Sequence, residues 1–111
     1  AIAVAPVINW KWYDTIYTER FMRTPQENND GYEDNSPINF AHLIKGKYLL
    51  VHGMADDNVH FQNAAEMARA LISKNIPFEE AYYPNKNHGI YGGYTRSHLY
   101  HKMTNFIIDN L

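Results

Sequence analysis

Three short segments of the chain are predicted to form β-strands. Residues 1–5 (AIAVA) and 47–52 (KYLLVH) are almost wholly apolar, which is typical of strands covered on both faces, as in a parallel sheet. We therefore expect both of these strands in the centre of the sheet. Residues 78–84 (FEEAYYP) carry two adjacent glutamates and alternate poorly, which indicates a strand nearer to an edge.

Two longer segments show the three- and four-residue spacing of amphipathic helices. One follows the second strand, and the other follows the third strand behind Thr95, a candidate N-cap. Strands and helices thus alternate with long crossovers, which favours right-handed βαβ units and an α/β fold with a mainly parallel sheet of about three strands. The first helix has the apolar positions Phe61, Ala64, Ala65, Met67, Ala68, Leu71 and Ile72 and the polar positions His60, Asn63, Glu66, Arg69 and Ser73, and the second has the apolar positions Leu99, Met103, Phe106, Ile107 and Leu111.

Residues 9–46 lack a strand pattern, and we expect short helices there. Trp10, Tyr13 and Tyr17 follow the spacing i, i+3 and i+7, which places them on one helical face. Ser36 followed by Pro37 offers an N-cap with proline at the first helical position. Aromatic residues on a shared face usually pack into a core, but tyrosine rings with a free hydroxyl also suit a pocket wall. The sequence leaves both interpretations open.

Composition excludes several classes of protein. With 111 residues, 45% of them apolar, and no internal repeat or linker, the chain is expected to form one globular unit. A net charge of −2 with ten scattered Lys and Arg residues argues against a nucleic-acid partner. No apolar run reaches the 18 residues of a membrane span. Because cysteine is absent and the spaced pair His98 and His101 lacks a third ligand, we expect no metal site.

The residues best suited to chemistry follow the second and third strands. The segment GMADDN contains Asp56 and Asp57, and NKNHGI contains His88. Since the carboxyl ends of parallel strands share one edge of the sheet, these two loops should lie side by side. A carboxylate beside an imidazole fixes its tautomer and stabilises its cation, and such a pair activates a hydroxyl nucleophile. The alternatives are ordinary turn aspartates and an isolated loop histidine.

The order of these residues matches the second half of a catalytic triad. In α/β-hydrolases the chain order is Ser, then Asp or Glu, then His, with the serine in a G-x-S-x-G turn. Asp56 and His88 fit the last two positions, but no G-x-S-x-G occurs here. The three serines, Ser36, Ser73 and Ser97, follow a turn or lie in helical patterns. We therefore expect the nucleophile upstream of this segment.

Three segments together resemble the prolyl oligopeptidase family of serine peptidases, and within it the dipeptidyl peptidase IV branch. They are VAPVINWKWYDTIYTERFM, LLVHGMADDNVHFQN and YPNKNHGIYGG, in the order found in the family. The resemblance implies that residues 1–111 are the C-terminal portion of an α/β-hydrolase peptidase catalytic domain. Such a portion is a partial α/β-hydrolase fold that lacks the upstream half with the nucleophile.

The resemblance also implies roles for individual residues. The pattern G-x-x-D-x-x-V in GMADDNV marks Asp56 as the acid of the triad, and the histidine of NHG marks His88 as the base. Asp57 would be a structural neighbour close to a helix N-terminus. Asn58 would bind the carbonyl group of the P2 residue, the second substrate residue on the N-terminal side of the cleaved bond. The wall of the S1 pocket, which accepts Pro or Ala, would be formed by Val7, Trp10, Tyr13, Tyr17 and Val59.

The implied activity is the release of Xaa-Pro or Xaa-Ala dipeptides from peptide N-termini by acyl transfer, without a cofactor. Family members commonly form homodimers, and bacterial relatives are often exported to the periplasm or the cell surface. The chain alone is expected to be inactive because it has no nucleophile. Two alternatives stay open, namely another branch of the family, such as a tripeptidyl or acylaminoacyl peptidase, and a non-catalytic binding or assembly module.

Overall fold

The chain folds into three strands and four α-helices in a computed structural model that describes residues 1–111. Two 3-10 helices, Trp10–Trp12 and Pro37–Leu43, lie between the first and second strands. In chain order the other elements are β1 (Ile2–Val4), α1 (Thr15–Met22), α2 (Asn29–Asp34), β2 (Leu49–Gly53), α3 (Gln62–Ser73), β3 (Glu79–Tyr83) and α4 (Thr95–Asn110). No helix combines the length and the apolar character needed to cross a membrane.

The three strands form one parallel sheet in the order β1, β2, β3. Leu49 of β2 is in register with Ile2 on one side and with Glu79 on the other. The predicted parallel sheet is therefore confirmed. The expectation that β1 is central was wrong, because β1 pairs only with β2, and Val4 is 42% exposed.

Helices cover both faces of the sheet, as expected for an α/β fold. Successive side chains of β2 point to opposite faces, so Leu50 packs against α3, whereas Leu49 and Val51 pack against α4. This alternation explains why β2 is apolar at consecutive positions and why all five of its residues are buried. The strand therefore fixes its carboxyl end firmly between two cores.

Several residues of the helices differ from the predicted pattern. Asn63, assigned to the polar face of α3, is 1% exposed because its Oδ1 accepts a hydrogen bond from the Ile8 amide at 2.9 Å. Ile72, assigned to the apolar face, is instead 69% exposed. Thr95 is the first residue of α4 and not its N-cap, since its hydroxyl donates to the Gly92 carbonyl and Tyr94 occupies the cap position.

The segment between β1 and β2 contains short helices, as predicted. Trp10, Tyr13 and Tyr17 do not share one helix, because Asp14 interrupts the segment and caps α1 by accepting from the Tyr17 amide at 2.8 Å. Ser36 does precede Pro37 at the start of a helix, but that helix is 3-10. The Ser36 hydroxyl donates to the Tyr32 carbonyl and provides no cap.

Candidate active site

The loops that follow β2 and β3 are joined by backbone hydrogen bonds at the carboxyl edge of the sheet. The Met54 amide donates to the Tyr83 carbonyl at 2.9 Å, and the Ala55 amide donates to the Lys86 carbonyl at 3.0 Å. Gly53 permits this approach, because a Cβ atom there would lie 2.4 Å from the Lys86 oxygen. The local sequence thus brings the two loops together.

Asp56 and His88 are hydrogen-bonded across these loops. His88 Nδ1 lies 2.8 Å from Asp56 Oδ2, and because a carboxylate accepts, we assign the proton to Nδ1. The Asp56 side chain is fully buried, whereas the His88 side chain is 44% exposed. The two residues that the sequence pattern pairs are therefore in contact, while their catalytic roles stay predictions.

Hydrogen bonds keep the buried Asp56 carboxylate charged. Its Oδ1 accepts from the amides of Asn58 and Val59, both at 2.9 Å. Burial by itself would raise the pKa of Asp56, but the hydrogen bonds from His88 and from these two amides outweigh it, so the pKa lies below its usual range. A fixed negative charge therefore faces His88 Nδ1.

This arrangement leaves the other nitrogen of His88 free to act as a base. With Nδ1–H directed at Asp56, Nε2 carries the lone pair and makes no hydrogen bond. An imidazole in this tautomer accepts a proton at Nε2, and the adjacent carboxylate stabilises the imidazolium that forms. The pair can therefore activate a hydroxyl group that approaches Nε2.

Asn58 and the predicted aromatic residues contact one another beside the Asp56 loop. The Tyr13 hydroxyl donates to Asn58 Oδ1 at 2.9 Å, which leaves Asn58 Nδ2 as a free donor. Edge-to-face contacts connect Trp10 to Tyr13 at 5.9 Å and Tyr13 to Tyr17 at 5.4 Å. They continue to Phe21, which sequence analysis missed although it lies four residues after Tyr17 on α1.

The remaining predicted site residues lie close in sequence to these groups. Val59 is 4% exposed, and its amide is one of the donors to Asp56. Val7 is partly buried and precedes the aromatic series, but it takes no part in the ring contacts. Asp57 is exposed, and α3 begins only at Gln62, so Asp57 does not lie at the helix N-terminus as the resemblance implied.

His52, which sequence analysis left unassigned, lies beside the Asp56 carboxylate. Its side chain is fully buried on β2, and its Nε2 lies 2.7 Å from the Val59 carbonyl and 3.4 Å from Asp56 Oδ2. Its position four residues before Asp56 in a buried strand was the only available signal. No group of three or more His, Asp or Glu side chains is arranged to hold a metal ion.

Comparison with known proteins gives a consistent result. Dipeptidyl peptidase 4 of Felis catus is 45% identical over 109 residues, which are 96% of this chain and 14% of that protein. Prolyl endopeptidase FAP of Mus musculus shows the same identity and the same coverage. The chain thus spans about one seventh of the length of these relatives.

Solved structures and a family model extend this result. The crystal structure of Porphyromonas gingivalis dipeptidyl peptidase 4 superposes with a TM-score of 0.98 and 55% identity, over 99% of this chain and 16% of that one. The model of the prolyl oligopeptidase family matches residues 1–111. The chain therefore belongs to the prolyl oligopeptidase family.

Proposed function

We propose that residues 1–111 are the C-terminal portion of an α/β-hydrolase catalytic domain in a serine exopeptidase that releases Xaa-Pro or Xaa-Ala dipeptides from peptide N-termini. The observation that carries the proposal is the 2.8 Å hydrogen bond between His88 Nδ1 and the buried carboxylate of Asp56. The names of the similar proteins, dipeptidyl peptidase 4 among them, support the substrate class.

In the proposed mechanism His88 is the general base and then the general acid. Its Nε2 takes the proton of a serine hydroxyl, supplied by another part of the protein, as the oxygen attacks the carbonyl carbon of the proline residue. The proton then passes to the leaving amine, and an acyl-serine forms. Water, activated by His88 in the same way, releases the dipeptide. Asp56 orients the imidazole throughout.

Substrate selection is proposed to depend on the aromatic series and on Asn58. Proline is rigid, so it loses little conformational entropy when it enters a slot walled on one side by the rings of Trp10, Tyr13 and Tyr17. A larger side chain would not fit such a slot. Asn58 is assigned the role of donor to a substrate carbonyl, which its Nδ2 can fill because the Tyr13 hydroxyl bonds to Oδ1 instead. Val7 and Val59 complete the proposed wall of the pocket.

One observation favours a second candidate, cleavage inside peptides after proline. A relative named prolyl endopeptidase is as similar to this chain as the dipeptidyl peptidase is, at 45% identity. Both activities use the same acyl transfer and the same proline pocket, so the difference lies in whether a free substrate N-terminus is required.

We also propose a homodimer for the full-length enzyme, which sedimentation velocity would test.

The test uses the full-length protein and two chromogenic amides, Gly-Pro and N-acetyl-Gly-Pro. An exopeptidase is expected to hydrolyse the Gly-Pro amide, which has a free N-terminal amine, and to leave the N-acetylated substrate intact. The reason is that such an enzyme releases a dipeptide whose N-terminal amine is free. Comparable hydrolysis of both would favour the endopeptidase. No hydrolysis of either would contradict the proposed function.

Asp56 has a matched control in the adjacent carboxylate. Asp56→Asn should lower kcat about ten-thousandfold, because an amide at this position favours the wrong histidine tautomer. Asp57→Asn should change kcat less than threefold, since Asp57 is exposed on the same loop. Equal activity of the two variants would refute the role assigned to Asp56.

A further inference from the structure

His52 connects the central strand to the loop that carries the acid. Its Nε2 lies 2.7 Å from the Val59 carbonyl, which can only accept, so Nε2 must carry a hydrogen atom. The same nitrogen lies 3.4 Å from Asp56 Oδ2, the oxygen that His88 contacts. The imidazole therefore presents one donor to both ends of the segment from Asp56 to Val59.

The other nitrogen of His52 shows that packing alone does not account for this residue. His52 Nδ1 is buried without a hydrogen-bond partner, which is unfavourable for a polar atom. The edge contact of the ring with Phe61, at 5.9 Å between centroids, needs no nitrogen. The preceding residues of β2, Leu49 to Val51, are all apolar and equally buried. The atom that distinguishes His52 from an apolar residue is thus Nε2.

We propose that His52 is a positioning residue for the pair formed by Asp56 and His88, an inference that rests on the proposed peptidase function. The Val59 amide already donates to Asp56 Oδ1, and His52 holds the carbonyl of that same residue. The loop is thereby closed against β2 on both sides of the carboxylate. Asp56 Oδ2 therefore stays directed at His88 while the His88 imidazole gains and loses a proton at Nε2.

Three substitutions separate the hydrogen bond from the packing. In His52→Gln the amide nitrogen is the same number of bonds from Cα as Nε2, so the donor is retained. His52→Met has a similar length without a donor, and His52→Phe keeps a ring without a donor. All three are made in the full-length protein, and kcat and KM are measured with the Gly-Pro amide. Circular dichroism and thermal unfolding check the fold of each variant.

The kcat values of the three variants should depend on whether the side chain at position 52 keeps a hydrogen-bond donor, and not on its shape. His52→Gln should retain kcat within about threefold, whereas the Met and Phe variants should lose about ten- to hundredfold, the cost of a slightly misplaced catalytic group. KM should change less, because the amides of Asn58 and Val59 and the hydroxyl of Tyr13 still hold the loop. His60→Phe, an exposed histidine on the same segment, is the matched control and should behave as wild type.

Several outcomes would overturn the inference. Wild-type kcat in a folded Met variant would show that the donor is not needed. An equal loss of kcat in His52→Gln and His52→Met, with His52→Phe active, would show that His52 acts through packing. A His52→Gln variant that does not fold would show that His52 serves the stability of the fold. A wild-type protein without activity on the Gly-Pro amide would instead contradict the proposed function, so the two failures are distinguishable.

Discussion

At the scale of single residues, the candidate site depends on one buried charge. Asp56 is 4% exposed, yet its pKa is lowered, because hydrogen bonds from His88 and from two backbone amides outweigh the effect of burial. Hydrogen bonds to charged groups contribute about 1.5–3 kcal/mol each, which is enough to keep a carboxylate ionised inside a protein. The charge of Asp56 therefore bears on the stability of the fold as well as on the candidate site.

This link predicts a pH dependence of stability. The folded-state pKa of Asp56 is lower than the value of about 3.9 in an unfolded chain, so its stabilising effect is complete above about pH 5 and is lost progressively as the pH falls through the unfolded-state pKa to the folded-state pKa. Asp56→Asn should therefore lower the free energy of unfolding by about 1.5–3 kcal/mol at pH 6 and by less near pH 3, where part of this stabilisation is lost. Urea unfolding of the full-length protein at both pH values measures the difference. A difference that does not change with pH would contradict the prediction, and Asp57→Asn serves as the control.

The hydroxyl of Tyr13 offers a second prediction at this scale. Because it donates to Asn58 Oδ1, it fixes the orientation of the amide and directs Nδ2 away from the ring. Tyr13→Phe keeps the aromatic wall but removes this bond, so KM for the Gly-Pro amide should rise about three- to tenfold, the worth of one hydrogen bond, with little change in kcat. Tyr17→Phe is the matched control, since its hydroxyl makes no hydrogen bond. A lower kcat with unchanged KM would argue against the proposed role of Asn58.

At the scale of elements, the site depends on how closely two loops approach. A Cβ atom on Gly53, at the end of β2, would lie 2.4 Å from the Lys86 oxygen and 2.5 Å from the Asn87 oxygen. Both contacts are with backbone atoms, which cannot rotate away as a flexible side chain would. The loop that carries His88 would have to move away from β2.

Gly53→Ala should therefore affect both stability and activity. We expect a loss of about 1–3 kcal/mol in the free energy of unfolding, the usual cost of overpacking. We also expect a loss of about ten- to hundredfold in kcat, because His88 would move relative to its carboxylate partner. Gly46→Ala is the control, as its Cβ atom would meet nothing within 4 Å. Equal behaviour of the two variants in urea unfolding and in the peptidase assay would show that the loops are not tightly coupled.

The sequence predicts some of these elements better than others, for physical reasons. Asp56 and His88 could be paired because neighbouring parallel strands end at the same edge of the sheet, a rule that needs no side-chain detail. The burial of Asn63 and the contacts of His52 could not be predicted, because their partners are the backbone groups of Ile8 and Val59, which leave no trace in the residue pattern. A polar residue in a periodic segment therefore suggests a surface position even where it is buried.

At the scale of the whole molecule, the chain is an open and flattened arrangement. Its radius of gyration is 15.0 Å, compared with about 13 Å for a compact domain of this length, and its extents are 43 × 32 × 21 Å. β1 and β3 each pair on one side only. Unpaired strand edges promote association between chains, so the variants described above are best compared in the full-length protein.

The 111-residue chain by itself is expected to have no peptidase activity, although it holds the hydrogen-bonded Asp56 and His88. Its serines are placed elsewhere: Ser36 and Ser73 donate to backbone carbonyls, and Ser97 is exposed on α4. Without a nucleophile the remaining members of a triad contribute little, because they act as a unit. The purified chain should therefore hydrolyse the Gly-Pro amide no faster than the same chain with Asp56→Asn. Saturable hydrolysis that the substitution abolishes would show that a hydroxyl within these residues reaches His88, and the proposed division of the catalytic residues would be wrong.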